Sequence, residues 1–170
     1  MIRPKGEKMS PDDLVEIEKI KQLKARYFLL MDQKRWDEWA EVFCEDVTID
    51  TTEEGTPILH GRQTFKDFLP PILEKVRTCH HGHTPIIQLT GPDSAEGTWA
   101  MEDMLWWPQG SPFEHLWGLG WYEEKYRKDP DGEWRILHLK LRRIRVEMDG
   151  VEAGTGERPA GGEPAQRIEN

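Results

Sequence analysis

The chain has 170 residues, with 23 Lys and Arg against 32 Asp and Glu and a formal net charge of −9. That length suits one domain able to bury its own core, and the acidity excludes the positive surface that nucleic-acid phosphates demand. The two cysteines, Cys44 and Cys79, exclude a disulfide framework, and no apolar run approaches the length of a membrane span, so a soluble, cytoplasmic protein is expected.

Residues 1–10 read as an N-terminal tail. Ser10-Pro11-Asp12-Asp13 is a helix start: a Ser cap, Pro at the first helical position and acids in the first turn. Leu14, Ile17, Ile20, Leu23, Tyr27, Leu30 and Met31 follow by threes and fours, which predicts an amphipathic helix ending near Asp32-Gln33. Tyr27 lies near the middle of the apolar arc, where spacing alone makes it a core residue. Asp32 lies at the arc's edge, at a helix end whose dipole favours cations over acids. A second short helix is predicted over 36–43, a strand over 47–51, a turn at Glu54-Gly55 and a short return over 57–60. A third helix should run from 62 to about 77, with Pro70-Pro71 imposing a kink or a restart.

The second half differs in kind. Strands are predicted over 79–90, 94–108, 114–127 and 133–147, separated by Gly- and Pro-bearing turns and paired consecutively. Beyond Gly150 the composition falls to Gly, Pro, Glu and Ala, and 150–170 reads as a disordered C-terminal tail. The expected domain is therefore 11–149, of α+β class, with helices laid on a strongly curved antiparallel or mixed sheet that encloses a conical space.

Three features carry candidate chemistry. On the 94–108 strand one parity reads Ala95, Gly97, Trp99, Met101, Asp103, Leu105, Trp107, so Asp103 belongs to the apolar face. A carboxylate there requires a partner, with Arg143 or Arg145 available, or else marks a functional site. Cys79-His80-His81-Gly82-His83 clusters three histidines. His80 has the opposite parity to His81 and His83, and no third ligand stands at a telling spacing, so no metal site is assigned. A histidine paired with a carboxylate as general base asks less of the chain. Eight tryptophans in the chain, with Trp99, Trp106, Trp107, Trp117 and Trp121 in one region, suit a large core or the wall of a pocket for a bulky apolar ligand.

The run Ile20-Lys21-Gln22-Leu23-Lys24-Ala25-Arg26-Tyr27-Phe28, then Asp32 and Trp36, resembles the SnoaL-like branch of the nuclear transport factor 2-like superfamily. Gly82-His83-Thr84-Pro85 and Trp99 through Glu102-Asp103 strengthen the resemblance, which spans roughly 14–147 and is nearest the bile acid 7α-dehydratase and scytalone dehydratase-like lyases. It implies a cone-shaped α+β barrel. It places the catalytic Asp on Asp32 and the catalytic His on His80, with Tyr27, Asp103 and His83 as assisting residues; His81 falls on an apolar position and is set aside. Trp99, Met101, Trp117, Trp121 and Arg143 are the expected substrate-binding residues.

The implied activity is a cofactor-independent, metal-free lyase or isomerase on a bulky apolar, steroid-like or polycyclic hydroxylated molecule. The alternatives are a non-catalytic small-molecule-binding or assembly module and an epoxide hydrolase. No nucleic-acid or membrane partner is expected. The apolar residues on both faces of 94–126 point to a homo-oligomer, trimer or dimer. An open cavity with Asp32 within hydrogen-bond reach of His80 separates the enzyme from the binding module.

Overall fold

The computed structural model describes residues 9–153. Helix α1 (Pro11–Asp32) starts at the expected cap: Ser10 Oγ accepts from the Asp13 amide at 3.1 Å and the Asp13 carboxylate accepts from the Ser10 amide at 2.9 Å. At its far end Lys34 takes a left-handed conformation, φ 60°, which turns the chain out of the helix. Helix α2 (Trp36–Ala40) is shorter than predicted. Phe43 already begins strand β1 (Phe43–Asp50), which starts four residues before the expected strand. Strand β2 (Leu59–His60) pairs with it, and helix α3 (Arg62–Leu73) runs through both prolines and ends soon after them.

The predicted 79–90 strand is two strands, β3 (Arg77–Gly82) and β4 (Ile86–Gly91), divided at His83-Thr84-Pro85. Both pair with β5 (Ser94–Trp106), and β6 (His115–Lys128) and β7 (Trp134–Met148) complete an antiparallel run. β1 joins β7 in parallel, so the eight-stranded sheet is mixed. A last strand, β8 (Val151–Ala153), pairs with β7. The described structure thus reaches four residues, 150–153, into the segment expected to be a disordered tail, whose remainder lies outside the described residues. Among the described residues no helix is long and apolar enough to cross a membrane.

Two register shifts between β6 and β7 each insert one extra residue on β7, Leu137 and Ile144. Each shift switches which parity faces inward: Trp134 and Ile136, then Leu139, Leu141 and Arg143, then Val146 and Met148. The helices cover the concave face. β3 passes so close beneath α1 that a Cβ on Gly82 would stand 2.5 Å from the Phe28 ring.

One end of that concave face is solid. Lys24 of α1 is fully buried, with Nζ 2.5 Å from Glu124 Oε1 and over the rings of Tyr27 and Tyr122 at 3.9 and 3.7 Å. Burial pushes the Lys24 ammonium down to about 8, with the Glu124 carboxylate opposing the shift. Glu124 also accepts from the Tyr126 hydroxyl, and Trp99 Nε1 donates to that hydroxyl at 2.8 Å. Cation–π contact and hydrogen bonds thus satisfy a charged pair deep in the core.

Candidate active site

The other end of the concave face is open. A cavity of about 500 Å³ lies there, within the size range of small-molecule sites. Its walls are apolar: Met31 from α1, Phe65, Phe68, Leu69, Ile72 and Leu73 from α3 and its end, and Leu105, Leu116, Leu139, Leu141, Val146 and Met148 from the sheet. Trp107 and Phe113, packed edge to face at 4.6 Å, form one side, and Ala153 of β8 reaches the same space. Among the described residues the polar lining is Tyr27, Tyr122, His80, Asp103, Arg143, Thr51, Thr56, Glu53 and Glu54.

His80 is placed by β3 and held by the last residue of α1. Its ring Nδ1 is 2.6 Å from Asp32 Oδ1, and its backbone amide donates to Asp32 Oδ2 at 3.0 Å. Thr78, two residues earlier and so on the same face of β3, donates to Asp32 Oδ1 at 2.8 Å, and Lys34 Nζ donates to Thr78 at 2.8 Å. Burial alone would raise the Asp32 carboxyl, but the donors from His80 and Thr78 outweigh it and hold the group below its ordinary value. A carboxylate can only accept, so the neutral His80 ring carries its proton on Nδ1 and leaves Nε2 as a bare lone pair. Among the described residues that nitrogen has no hydrogen-bond partner. This explains the acid at an unfavourable helix end: Asp32 ties α1 to β3 and sets one tautomer.

One cross-strand row builds the remainder of the polar lining. His80 stands opposite Asp103, and Asp103 opposite Gly118 on β6. Arg143 of β7 reaches over Gly118 to grip Asp103 with two parallel bonds, 2.9 Å from Nη1 to Oδ1 and 2.7 Å from Nη2 to Oδ2. A Cβ on Gly118 would lie 2.2 Å from Asp103 Oδ1 and 2.5 Å from Arg143 Nη1, so glycine leaves the space in which the pair lies flat on the sheet. Gly118→Ala should therefore cost about 1–3 kcal/mol of stability in urea unfolding, as overpacking does; a variant as stable as wild type would contradict this geometry.

Above the pair sits a 3₁₀ turn, Thr52–Glu54, closed by Gly55 at φ 78°. Burial alone would push the Arg143 guanidinium down, but Glu54 and Asp103 beside it more than offset that and keep it charged. Tyr27 is buried at the cavity's inner end beside Tyr122, their rings 6.1 Å apart; burial pushes both phenols well above their ordinary value, so both stay neutral donors.

Of the residues expected in the site, Asp32, His80, Tyr27, Asp103 and Arg143 converge on it. His83 does not: it lies past the end of β3, more than half exposed, 3.9 Å from Glu102. Trp99 and Met101 share the inward parity of Asp103 but are consumed in packing, Trp99 on Tyr126 and Met101 against Arg143. Trp117 and Trp121 occupy the opposite parity of β6 from Gly118, Gly120 and Tyr122, and bond Glu102 and Glu123 through their indole nitrogens at 2.7 and 3.2 Å. They belong to the outer face, not the cavity wall. Thr78, Glu54 and Tyr122 are further polar members of the site; for Thr78 the signal was its parity with His80. Among the described residues no group of three or more His, Cys, Asp or Glu is arranged to hold a metal ion.

The backbone resembles several solved structures. A candidate scytalone dehydratase from Novosphingobium aromaticivorans aligns with TM-score 0.76 at 21% identity, over 91% of this chain and all of its own. A Mycobacterium tuberculosis protein of unknown function aligns at 0.67 and 27% identity, over 82% of this chain and 79% of its own. The hexachlorocyclohexane dehydrochlorinase LinA-type3 of Novosphingobium barchaimii aligns at 0.70 and 16% identity, over 89% and 98%. At these identities the likeness concerns the fold. The family profile described as the SnoaL-like domain matches residues 12–140, most of the chain. With that match and the shared fold, the chain belongs to the SnoaL-like domain family of the nuclear transport factor 2-like superfamily.

Proposed function

We propose that this protein is a cofactor-independent lyase, a dehydratase, or an isomerase, acting on a bulky apolar hydroxylated molecule of steroid-like or polycyclic shape. One observation carries the reading: His80 lines an otherwise largely apolar cavity with Nδ1 committed to Asp32 and Nε2 bare. The dehydratase and dehydrochlorinase neighbours are named for eliminations, which is consistent with it.

In the proposed reaction His80 Nε2 takes a proton from a carbon next to the departing group. The C–H electrons become the new C=C bond, and the C–O bond breaks. The proton carried by His80 then joins the leaving hydroxide, so water departs and the ring returns to its starting tautomer. Asp32 stabilises the transient imidazolium across the 2.6 Å contact. Tyr27, held neutral by burial, donates a hydrogen bond to a substrate carbonyl or to the leaving oxygen, in a space where apolar walls strengthen that bond. Isomerisation is the same first step with the proton returned to a different carbon.

The test is incubation with a panel of hydroxylated ketosteroids and polycyclic alcohols, read by mass spectrometry. Loss of one water from a panel member supports dehydration, and a product of unchanged mass with a moved double bond supports isomerisation. Full recovery of every member unchanged counts against the reading.

The outer face of β5 and β6 carries Trp106, Trp117 and Trp121, all only half-buried in the single chain. An apolar face of this kind fits a second copy of the chain. Light scattering should give two or three times the 19.9 kDa chain mass; the mass of one chain would contradict a homo-oligomer.

A further inference from the structure

Arg143 lines the cavity, yet every one of its donors is taken. Nε donates to Glu54 at 3.1 Å. Nη1 donates to Asp103 at 2.9 Å and to the Met101 sulfur at 3.5 Å. Nη2 donates to Asp103 at 2.7 Å and to Glu54. A guanidinium has five N–H bonds, and this one has none left for a ligand's carboxylate or phosphate.

The charges at this end do not cancel. One guanidinium faces two carboxylates, Asp103 and Glu54. The neighbouring Glu53 is separately paired, to Arg142 at 3.0 Å and to the Arg143 amide at 2.7 Å. The side chains of Asp103 and Arg143 are each only 4% exposed, whereas that of Glu54 is 37% exposed. Glu54 is therefore the most open of the three carboxylates to an incoming molecule, since Glu53 is 23% exposed with both oxygens already paired. It can accept hydrogen bonds but cannot donate them. An anionic end group placed beside it meets a like charge in a part-desolvated space where, among the described residues lining it, the one guanidinium is already fully paired.

We propose that Glu54 is a specificity determinant: it selects ligands whose polar end is a neutral hydrogen-bond donor, a hydroxyl, and rejects carboxylates, phosphates and sulfonates. This rests on reading the cavity as the substrate site, and it narrows the substrate to a neutral alcohol.

Two fluorescent dyes of nearly one shape test it: neutral N-phenyl-1-naphthylamine and its anionic 8-sulfonate. Any apolar cavity favours the neutral dye, so the deciding quantity is the change in the affinity ratio when Glu54 is altered. Glu54→Gln, which keeps the shape and removes the charge, should strengthen sulfonate binding and shrink the ratio by about 5-fold or more, roughly 1 kcal/mol. Glu54→Ala should shift it the same way. An unchanged ratio in both variants, or a wild-type preference for the sulfonate, would overturn the proposal. Neither measurement involves turnover. A protein that fails to turn over any alcohol but shows the ratio change would sink the lyase reading alone, while an active lyase with an unchanged ratio would sink only this one.

Discussion

Asp32→Asn should lower turnover by about 10²–10⁴-fold, the range for losing a positioned general base. The two oxygens of Asp32 accept from three donors: the His80 ring, the His80 amide and Thr78. A carboxamide has only one oxygen. If that oxygen faces the His80 amide, the NH₂ group points at Nδ1 and can only donate to it. The ring must then carry its proton on Nε2, which removes the lone pair the reaction needs. If instead the oxygen faces the ring, the His80 amide loses its acceptor, at a cost of about 1–3 kcal/mol for a buried unpaired donor. The first arrangement keeps more of the fold and abolishes the base, so the loss should fall mainly on kcat with KM little changed. Thr78→Val, which removes one donor and leaves the tautomer intact, should cost far less. Steady-state kinetics on a panel substrate decide the matter: an Asp32→Asn enzyme close to wild type would show that the pair is structural.

Lys24→Met should destabilise the protein by about 3–5 kcal/mol, the cost of breaking a buried ion pair by removing one member. Both side chains are fully buried, so the Glu124 left behind has no water to turn to. The Tyr27 and Tyr122 rings also lose the cation lying over them. Removing both charges is a different case. In the double variant Lys24→Met, Glu124→Gln, the amide oxygen can still accept from Tyr126, and no charge remains unpaired. Buried pairs replaced by apolar or neutral groups of similar volume are often close to neutral, so the double variant should recover most of the loss. Urea unfolding of wild type, single and double variants measures this. A single variant as stable as wild type, or a double variant no better than the single, would contradict a pair held by mutual compensation.

These two networks were not equally legible. The cap at Ser10, the length of α1 and the inward parity of Asp103 follow from spacing and residue type, because each depends only on neighbours in the chain. The Asp32–His80 pairing does not: it joins positions 48 residues apart, and it entered through the resemblance to a family. Nothing local marks Lys24 as buried, since its partner Glu124 lies on a strand 100 residues away.

The tryptophans misled for a definite reason. On β6 the inward parity carries Gly118 and Gly120 and the outward parity Trp117, Leu119 and Trp121, so over 117–121 side-chain size runs opposite to burial. Glycine is inward at 118 because the Asp103–Arg143 pair fills the space over it. The parity of Asp103 called for a partner and Arg143 was one of two available, but nothing local places the pair over Gly118, because it spans three strands. The bulges at Leu137 and Ile144 likewise shift the parity of β7 where no Gly or Pro marks them. The turn at Glu54-Gly55 was visible as a turn, but its entry into the cavity is a matter of tertiary placement.

In the proposed reaction His80, set by Asp32, removes a proton from carbon in this cavity. The most direct test compares wild type and His80→Ala on a turned-over panel alcohol, using substrate with hydrogen or deuterium at the carbon that loses its proton. Wild type should react more slowly with the deuterated substrate, and His80→Ala should lose about 10²-fold or more in turnover. Equal turnover by the two proteins would contradict it.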